Sequence, residues 1–548
     1  MFTPVKRPDN TKIHPQGNNR YVYVTLEKNY DPVKKFNVDK RKCIGKMIDD
    51  EMMMPNDFYY TYFKEDKPLE NAPTISDTLS VGNYFLIKSI FEQLGLSTLL
   101  DSIYGDIGAL IRDIAAYMIV EETSALQHYE TYAFTHPVFS KRIYSDTRIS
   151  EILHEPTLPT HDLFLERWNL MHTEVEDVYI SYDSTNMNSA AKGIELLEYG
   201  HSKDESSELP QINMSIGFDQ NSLTPLFYET YPGSVVDKSQ CEMMIKKVRR
   251  YGYKNIGFIL DRGYFTMENL RYFEKNNYNY IIMAMSNVKF VQPAIEETKY
   301  KVKKSQYYLP EYEIYGMTSE YRLKIDEETE RYMHVYYNPA NAVNETRAIL
   351  NKFARYDKQL DKLVQSKTAM KITAEKYKKY YTLRYYQGYL IGYERKDSVI
   401  DKLVDNCGYF VIVTSKEMTA TEALYKYRHR DTSEKLFMMG KSFLEADVIR
   451  THHSESTETK EMINFIALII RNRIFKEIKL LSFSDSKNYT TRAVIKELDK
   501  MIMTKDSSGR YSMRYAMTSK QKAIFSMFQI NESKIQEMAR NLSDSLFK

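Results

Sequence analysis

The sequence predicts an α/β fold, a mixed β-sheet with helices on its faces. Three observations carry this expectation. Between residues 176 and 290, β-prone runs and amphipathic stretches follow in the order three strands, helix, strand, helix, strand. Two of the strands end in an aspartate, Asp183 and Asp261. After an interruption over 291–404 the buried-strand pattern resumes at GYFVIVTS and runs into a strong helix.

Each element has its own signal. DVYISYDST reads as a short buried strand ending in Asp183, and INMSIGFD and PLFYETYPG as two more. Asp237 to Tyr251 reads as a helix, NIGFILDRGY as a strand ending in Asp261, FTMENLRYFEKNN as a helix and YNYIIMAMS as a strand. Thr419 with Glu422 three residues on forms a capping box that opens the helix after GYFVIVTS. Ahead of this block, residues 1–75 read as irregular and partly β, with two β-prone runs around an Asn/Asp/Pro turn. Residues 76–175 have helical periodicity broken at Gly95 and Gly105, which suits a DNA-binding or dimerisation unit. Trp168, in the helical apolar setting LFLERWNL, reads as core. Residues 291–404 are rich in Tyr, Lys and Glu. Their strand-like pieces YYLPEYEIYG, RYMHVYYNP and YQGYLIGYER surround a basic, helix-prone stretch, Asn351–Tyr380. This is expected to be a β-rich, basic insertion domain. The tail, 456–548, reads as helical and polar, with INFIALII as a buried helix.

Composition narrows the function classes. The chain has 548 residues, 43% hydrophobic and 27% charged, as in ordinary globular proteins of several domains. Net charge is only +2, so any nucleic-acid surface has to come from local patches. One such patch runs from Thr346 to Arg384, with 11 Lys/Arg against 3 Asp/Glu. Cys43, Cys241 and Cys407 match no metal spacing and read as reduced thiols. His452 and His453 have no Cys or His partner pattern and read as surface. No Walker A pattern supports use of ATP. No signal peptide and no apolar run of membrane-spanning length is visible, so the expected location is cytoplasmic.

The chemistry concentrates at a few positions. The carboxyl ends of strands in an α/β sheet are where ligands and metals gather, which singles out Asp183 and Asp261. Either alone also fits a turn or cap residue. Tyr427, Arg430, Glu434 and Lys441 follow at steps of 3, 4 and 7 residues, so they share one face of the predicted helix. That mixture makes a poor core stripe. It fits a solvated face laced with ion pairs, or a DNA site with one carboxylate for a metal and cations and a phenol for phosphates.

YKYRHRDTSEKLFMMGK matches the signature Tyr-x2-Arg-x3-Glu-x6-Lys at every fixed position. The chain thereby resembles the DDE transposases of bacterial insertion sequences, in their cut-and-paste branch. YISYDST resembles that family's first-Asp strand and FILDRGYFTMENL its second. GHSKDESSELPQINMSIGFD and LTPLFYETYPGSVVD resemble the segments between them. The resemblance covers 176–290 and 405–455 strongly. It implies a ribonuclease-H-like catalytic core in those two segments, interrupted by the insertion. It implies two divalent ions, Mg²⁺ or Mn²⁺, held by Asp183, Asp261 and Glu434. Tyr427, Arg430 and Lys441 would hold phosphates of the transposon end. Lys376, Lys378 and Lys379 of the basic stretch are further expected DNA contacts. The implied activity is cleavage of the terminal inverted repeats and joining of the 3′-OH to target DNA. It would be carried out by a homodimer on DNA, associated with the nucleoid of a prokaryote. A domesticated relative acting as a DNA-binding protein, or a stand-alone metal-dependent nuclease, is the alternative.

Overall fold

The computed structural model describes residues 4–17, 19–31, 36–63, 75–154, 161–172, 177–200, 209–220, 222–235, 237–253, 255–286, 288–366, 375–430, 448–482 and 489–547. Its centre is a mixed sheet that includes β7 (Asp177–Asn188), β8 (Gln211–Asp219), β9 (Thr224–Pro232) at one edge, β10 (Asn255–Leu260) and β11 (Asn279–Met285). β7, β8 and β9 form an antiparallel meander, and β10 and then β11 add to the other edge of β7 in parallel. Helix Asp237–Arg250 precedes β10, and helix Met267–Lys275 joins it to β11. The element order is the one expected from the sequence. Every residue of β8 is buried, and so are Ile256 to Leu260 of β10. Such continuous burial requires both faces of the sheet to be covered.

One face is covered by helices from both sides of the core in sequence. Gly82–Gln93, Asp106–Glu121 and His161–Leu170 precede it, and the long helix Ser454–Ser482 follows it. Gly95 (φ +68°) and Gly105 (φ +56°) take left-handed backbone where this helical run is broken, a conformation glycine adopts without steric cost. Trp168 is fully buried and donates its indole N–H to the carbonyl of Pro225 at 2.9 Å. Met462, Ile463, Phe465, Ile466 and Ile470 are buried, so the INFIALII segment packs inside the protein. No described helix is long and apolar enough to cross a membrane. The long helix is tied to the preceding ones by an ion pair. Arg471, 1% exposed, lies 2.9 Å from Glu122, which also pairs with Arg492 at 3.2 Å.

Two further sheets lie outside the core. β1 (Val5–Lys6), β2 (Lys12–Gln16), β3 (Asn19–Asp31), β4 (Phe36–Met47) and β5 (Met52–Pro55) make an N-terminal sheet with its own core around Val22, Ile44 and Met53. β6 (Thr78–Ser80) pairs with β19 (Ile502–Lys505), which pairs with β20 (Tyr511–Met513). The strands β19 and β20 are an addition to the all-helical expectation for the tail.

The strands within 291–404 divide between two places. β12 (Tyr308–Leu309), β13 (Ile314–Thr318), β14 (Leu323–Lys324) and β15 (Glu330–Tyr337) extend the central sheet through β18 (Tyr409–Thr414), which pairs antiparallel with β11. The remainder is helix Pro339–Ser366, a hairpin of β16 (Tyr381–Tyr386) and β17 (Tyr389–Arg395), and helix Asp397–Asp405. These pack a separate core of Phe353, Leu360, Tyr377, Tyr381, Leu390 and Ile400.

Candidate active site

Backbone register brings the two aspartates together. Tyr182 of β7 is the parallel partner of Leu260 of β10. Asp183 and Asp261 each come one residue later, so their backbones are neighbours where β10 ends. β7 itself runs on to Asn188, so Asp183 lies inside its strand and not at the strand end that the sequence predicts, because its pairing with β8 continues through Asn188. Asp261 caps a short 3₁₀ turn, Arg262–Tyr264, and its carboxylate accepts the backbone N–H of Arg262 at 2.7 Å. Its side chain is 38% exposed and opens on a cleft of about 1040 Å³.

The signature helix packs on the same side. Residues 420–430 are helical. The expected capping box is present: Thr419 N–H donates to the Glu422 carboxylate at 2.8 Å, and Glu422 N–H donates to the Thr419 hydroxyl at 3.2 Å. Ala420, Ala423, Leu424 and Tyr427 pack on Ile259, Ile281 and Ile412 of the sheet. The Tyr336 hydroxyl donates to the Ala420 carbonyl at 2.6 Å, and the Gln220 amide donates to the Lys426 carbonyl. This docking aims the helix at Asp261. The Tyr427 hydroxyl donates to Asp261 Oδ1 at 3.4 Å, and Arg430 Nη2 lies 3.8 Å from the same oxygen.

Tyr427 and Arg430 are 3% and 5% exposed. A solvated, ion-paired face therefore does not describe these two positions. The ring of Tyr427 is core and its hydroxyl end reaches Asp261 at the cleft, while Arg430 reaches the cleft wall. Of the other sequence-selected residues, Lys376, Lys378 and Lys379 are exposed on the insertion, away from the residues lining this cleft. Glu434 and Lys441 lie outside the described residues. The chain runs up to that stretch at Arg430, beside Asp261. It is described again at Val448, which bridges to Asn188 near the end of β7. Among the described residues, no group of three His, Cys, Asp or Glu side chains is placed to hold a metal ion.

The structure also adds residues that sequence reasoning did not select. Arg262, Lys289, Lys402 and Arg428 line the cleft, with Gln292 and Asn341 from either side. Arg262 and Arg428 lie inside the recognised segments FILDRGYFTMENL and YKYRHRDTSEKLFMMGK. Lys289 and Lys402 carry no sequence signal, because the packing of the insertion against β11 and β18 brings them in.

A family model described as "Transposase DDE domain" matches residues 177–470, from the start of β7 into the long helix Ser454–Ser482. The chain belongs to the DDE transposase family. All three signature carboxylates fall within the matched span. No curated protein matches the chain. Among solved structures, a similar one is titled "Cryo-EM structure of piggyBac transposase synaptic complex with hairpin DNA". It is 8% identical, over 84% of this chain and 83% of that one, with a TM-score of 0.37.

Proposed function

We propose that this DDE transposase cuts the ends of its element by metal-assisted phosphodiester hydrolysis and joins the freed 3′-OH to target DNA, with Asp183, Asp261 and Glu434 as the catalytic carboxylates. The observation that carries the reading is the register that sets Asp183 beside Asp261, with Tyr427 and Arg430 of the signature helix on the Asp261 carboxylate. The order of β7 to β11, a meander extended by two parallel strands, supports a ribonuclease-H-like core. Residues 291–404 then act as its insertion.

The donor set fits a hard divalent cation. Carboxylate oxygens beside a cleft that also carries cationic side chains suit Mg²⁺ or Mn²⁺, which keep water and phosphate oxygens as their other ligands. Asp183, Asp261 and Glu434 would hold two such ions. When bound, these supply an activated water and a counter-charge for the leaving oxygen. Arg430, its guanidinium 3.8 Å from the Asp261 carboxylate, adds positive charge beside the position a phosphate would take. Tyr427 fixes the helix on the sheet and aims a hydroxyl at the same spot. Arg262, Lys289 and Arg428 lower the cost of bringing a polyanion into the cleft. Two ends have to be cut in concert, so the working form is a dimer on DNA.

The test is cleavage of duplexes carrying the element's terminal repeats. Wild type should cut with Mg²⁺ or Mn²⁺, and bind but barely cut with Ca²⁺. Asp183→Asn and Asp261→Asn should bind the ends without cutting them. Wild-type cleavage by Asp261→Asn overturns the assignment.

A further inference from the structure

The helix Pro339–Ser366 divides two clefts. Asn341, Glu345 and Ala348 face the cleft at Asp261. Val343, Thr346, Arg347 and Leu350 line a different groove of about 660 Å³. At about 3.6 residues per turn these two sets lie on roughly opposite faces of the helix. The opposite wall of the second groove includes Lys299, Tyr300 and Lys303 of the segment Lys299–Lys304, KYKVKK, which has four lysines in six residues, with Lys304 next along the chain and Asp405 as the acid in the lining. This segment lies outside the Thr346–Arg384 basic stretch in sequence, and the fold sets it against that stretch's first arginine, Arg347.

The charges in this groove are not balanced. Lys299 is spent on Asp405 at 3.5 Å, and Lys301 on Glu297 at 3.6 Å. Lys303, Lys304 and Arg347 have no ion-pair partner among the described residues. The Lys303 ammonium is held 3.9 Å over the ring of Tyr337 and 5.3 Å from that of Tyr409, so its position is set by packing. Burial and the neighbouring Lys299 push its pKa down, against the opposing pull of Asp405 and Tyr300. Tyr300 stands between the lysines, 84% exposed, with its hydroxyl available to a phosphate.

We propose that this groove binds the phosphate backbone of duplex DNA, as a second DNA-holding surface separate from the cleft at Asp261. Lys303, Lys304 and Arg347 are the residues that meet the phosphates. A helix about 10–12 Å across stands between the two surfaces, so the phosphates held here are not those at Asp261. The proposal rests on the DNA-binding part of the function proposed above, but it needs neither metal nor cleavage.

Binding of a short duplex of arbitrary sequence to the full chain in EDTA, followed by fluorescence anisotropy over a salt series, tests it. Lys303→Gln/Lys304→Gln/Arg347→Gln should shallow the log–log salt slope by about 0.9 for each phosphate that the variant no longer neutralises and leave thermal unfolding unchanged. The charge-keeping variant Lys303→Arg/Lys304→Arg/Arg347→Lys should retain the wild-type slope. Bound DNA should protect Lys303 and Lys304 from acetylation. If wild type binds DNA but the Gln variant keeps its slope, or the two lysines stay reactive, the groove proposal alone is overturned. A Gln variant that keeps its slope but loses self-association by sedimentation also overturns it, and assigns the groove to a second copy of the chain. If wild type binds no duplex at any salt, the transposase reading falls as well.

Discussion

Tyr427 makes two separable contributions, and substitutions can part them. Its ring is 3% exposed and packs with Ile259, Ile281, Ile412 and Leu424. Its hydroxyl reaches Asp261 at 3.4 Å, long beside the ~2.7–2.8 Å typical of O–H···O bonds. Tyr427→Phe keeps the ring and gives up that long bond, a cost under ~1 kcal/mol. Tyr427→Ala empties the ring's place under the helix, a cost of ~3–5 kcal/mol. Chemical unfolding of the full chain should therefore show Phe close to wild type and Ala clearly destabilised. If the hydroxyl also holds a phosphate of the transposon end, Phe should lower end affinity with no change in unfolding. Equal destabilisation by Phe and Ala would refute this division of roles. So would an Ala variant that unfolds like wild type, since the helix would then not lean on the ring.

Other predictions address stability and charge. His334 is buried between the hydroxyls of Thr318 and Thr414, and burial pushes its pKa from 6.5 down to about 4. The folded state keeps the ring neutral, so its contribution is complete above pH 6.5 and is lost as the pH falls toward 4, by up to ~3 kcal/mol. His334→Gln should flatten that limb of the pH–stability curve, and an unchanged limb would contradict the burial argument. Glu122→Ala leaves the buried Arg471 guanidinium without its carboxylate and should cost on the order of 3–5 kcal/mol, read by thermal unfolding. Neutralising Lys376, Lys378 and Lys379 together should shallow the salt slope of DNA binding. An unchanged slope would make them plain solvated surface.

The parts of the fold legible in the sequence are those written in local pattern. β7, β8, β10 and β11 contain short apolar runs, so their existence and the Asp261 end of β10 could be read directly, whereas β7 runs past Asp183 to Asn188 because its polar continuation is held by pairing with β8. Gly95 and Gly105 broke a helical period for a backbone reason that the positive φ angles display. The three-residue β6 and the short β19 are too brief to carry periodicity. They become strands because Ser80 and Ile502 meet across more than 400 residues of chain. Likewise, nothing local says that β15 pairs with β18 while β16 and β17 close a separate hairpin. The signature helix was legible as one face. Its division between a packed ring and a cleft-facing guanidinium depends on where the sheet lies beneath it, which is long-range information.

The central claim is that three carboxylates far apart in sequence share one metal site. Fe²⁺ can stand in for Mg²⁺; it reduces added hydrogen peroxide to hydroxyl radicals that cut the backbone close to the bound ion, and ascorbate returns the Fe³⁺ to Fe²⁺. Mapping the fragments of the wild-type chain then reads the site directly. The account predicts cuts near Asp183, Asp261 and Glu434, all suppressed by excess Mg²⁺. Mg²⁺-sensitive cuts near the two aspartates with none near Glu434 would contradict it.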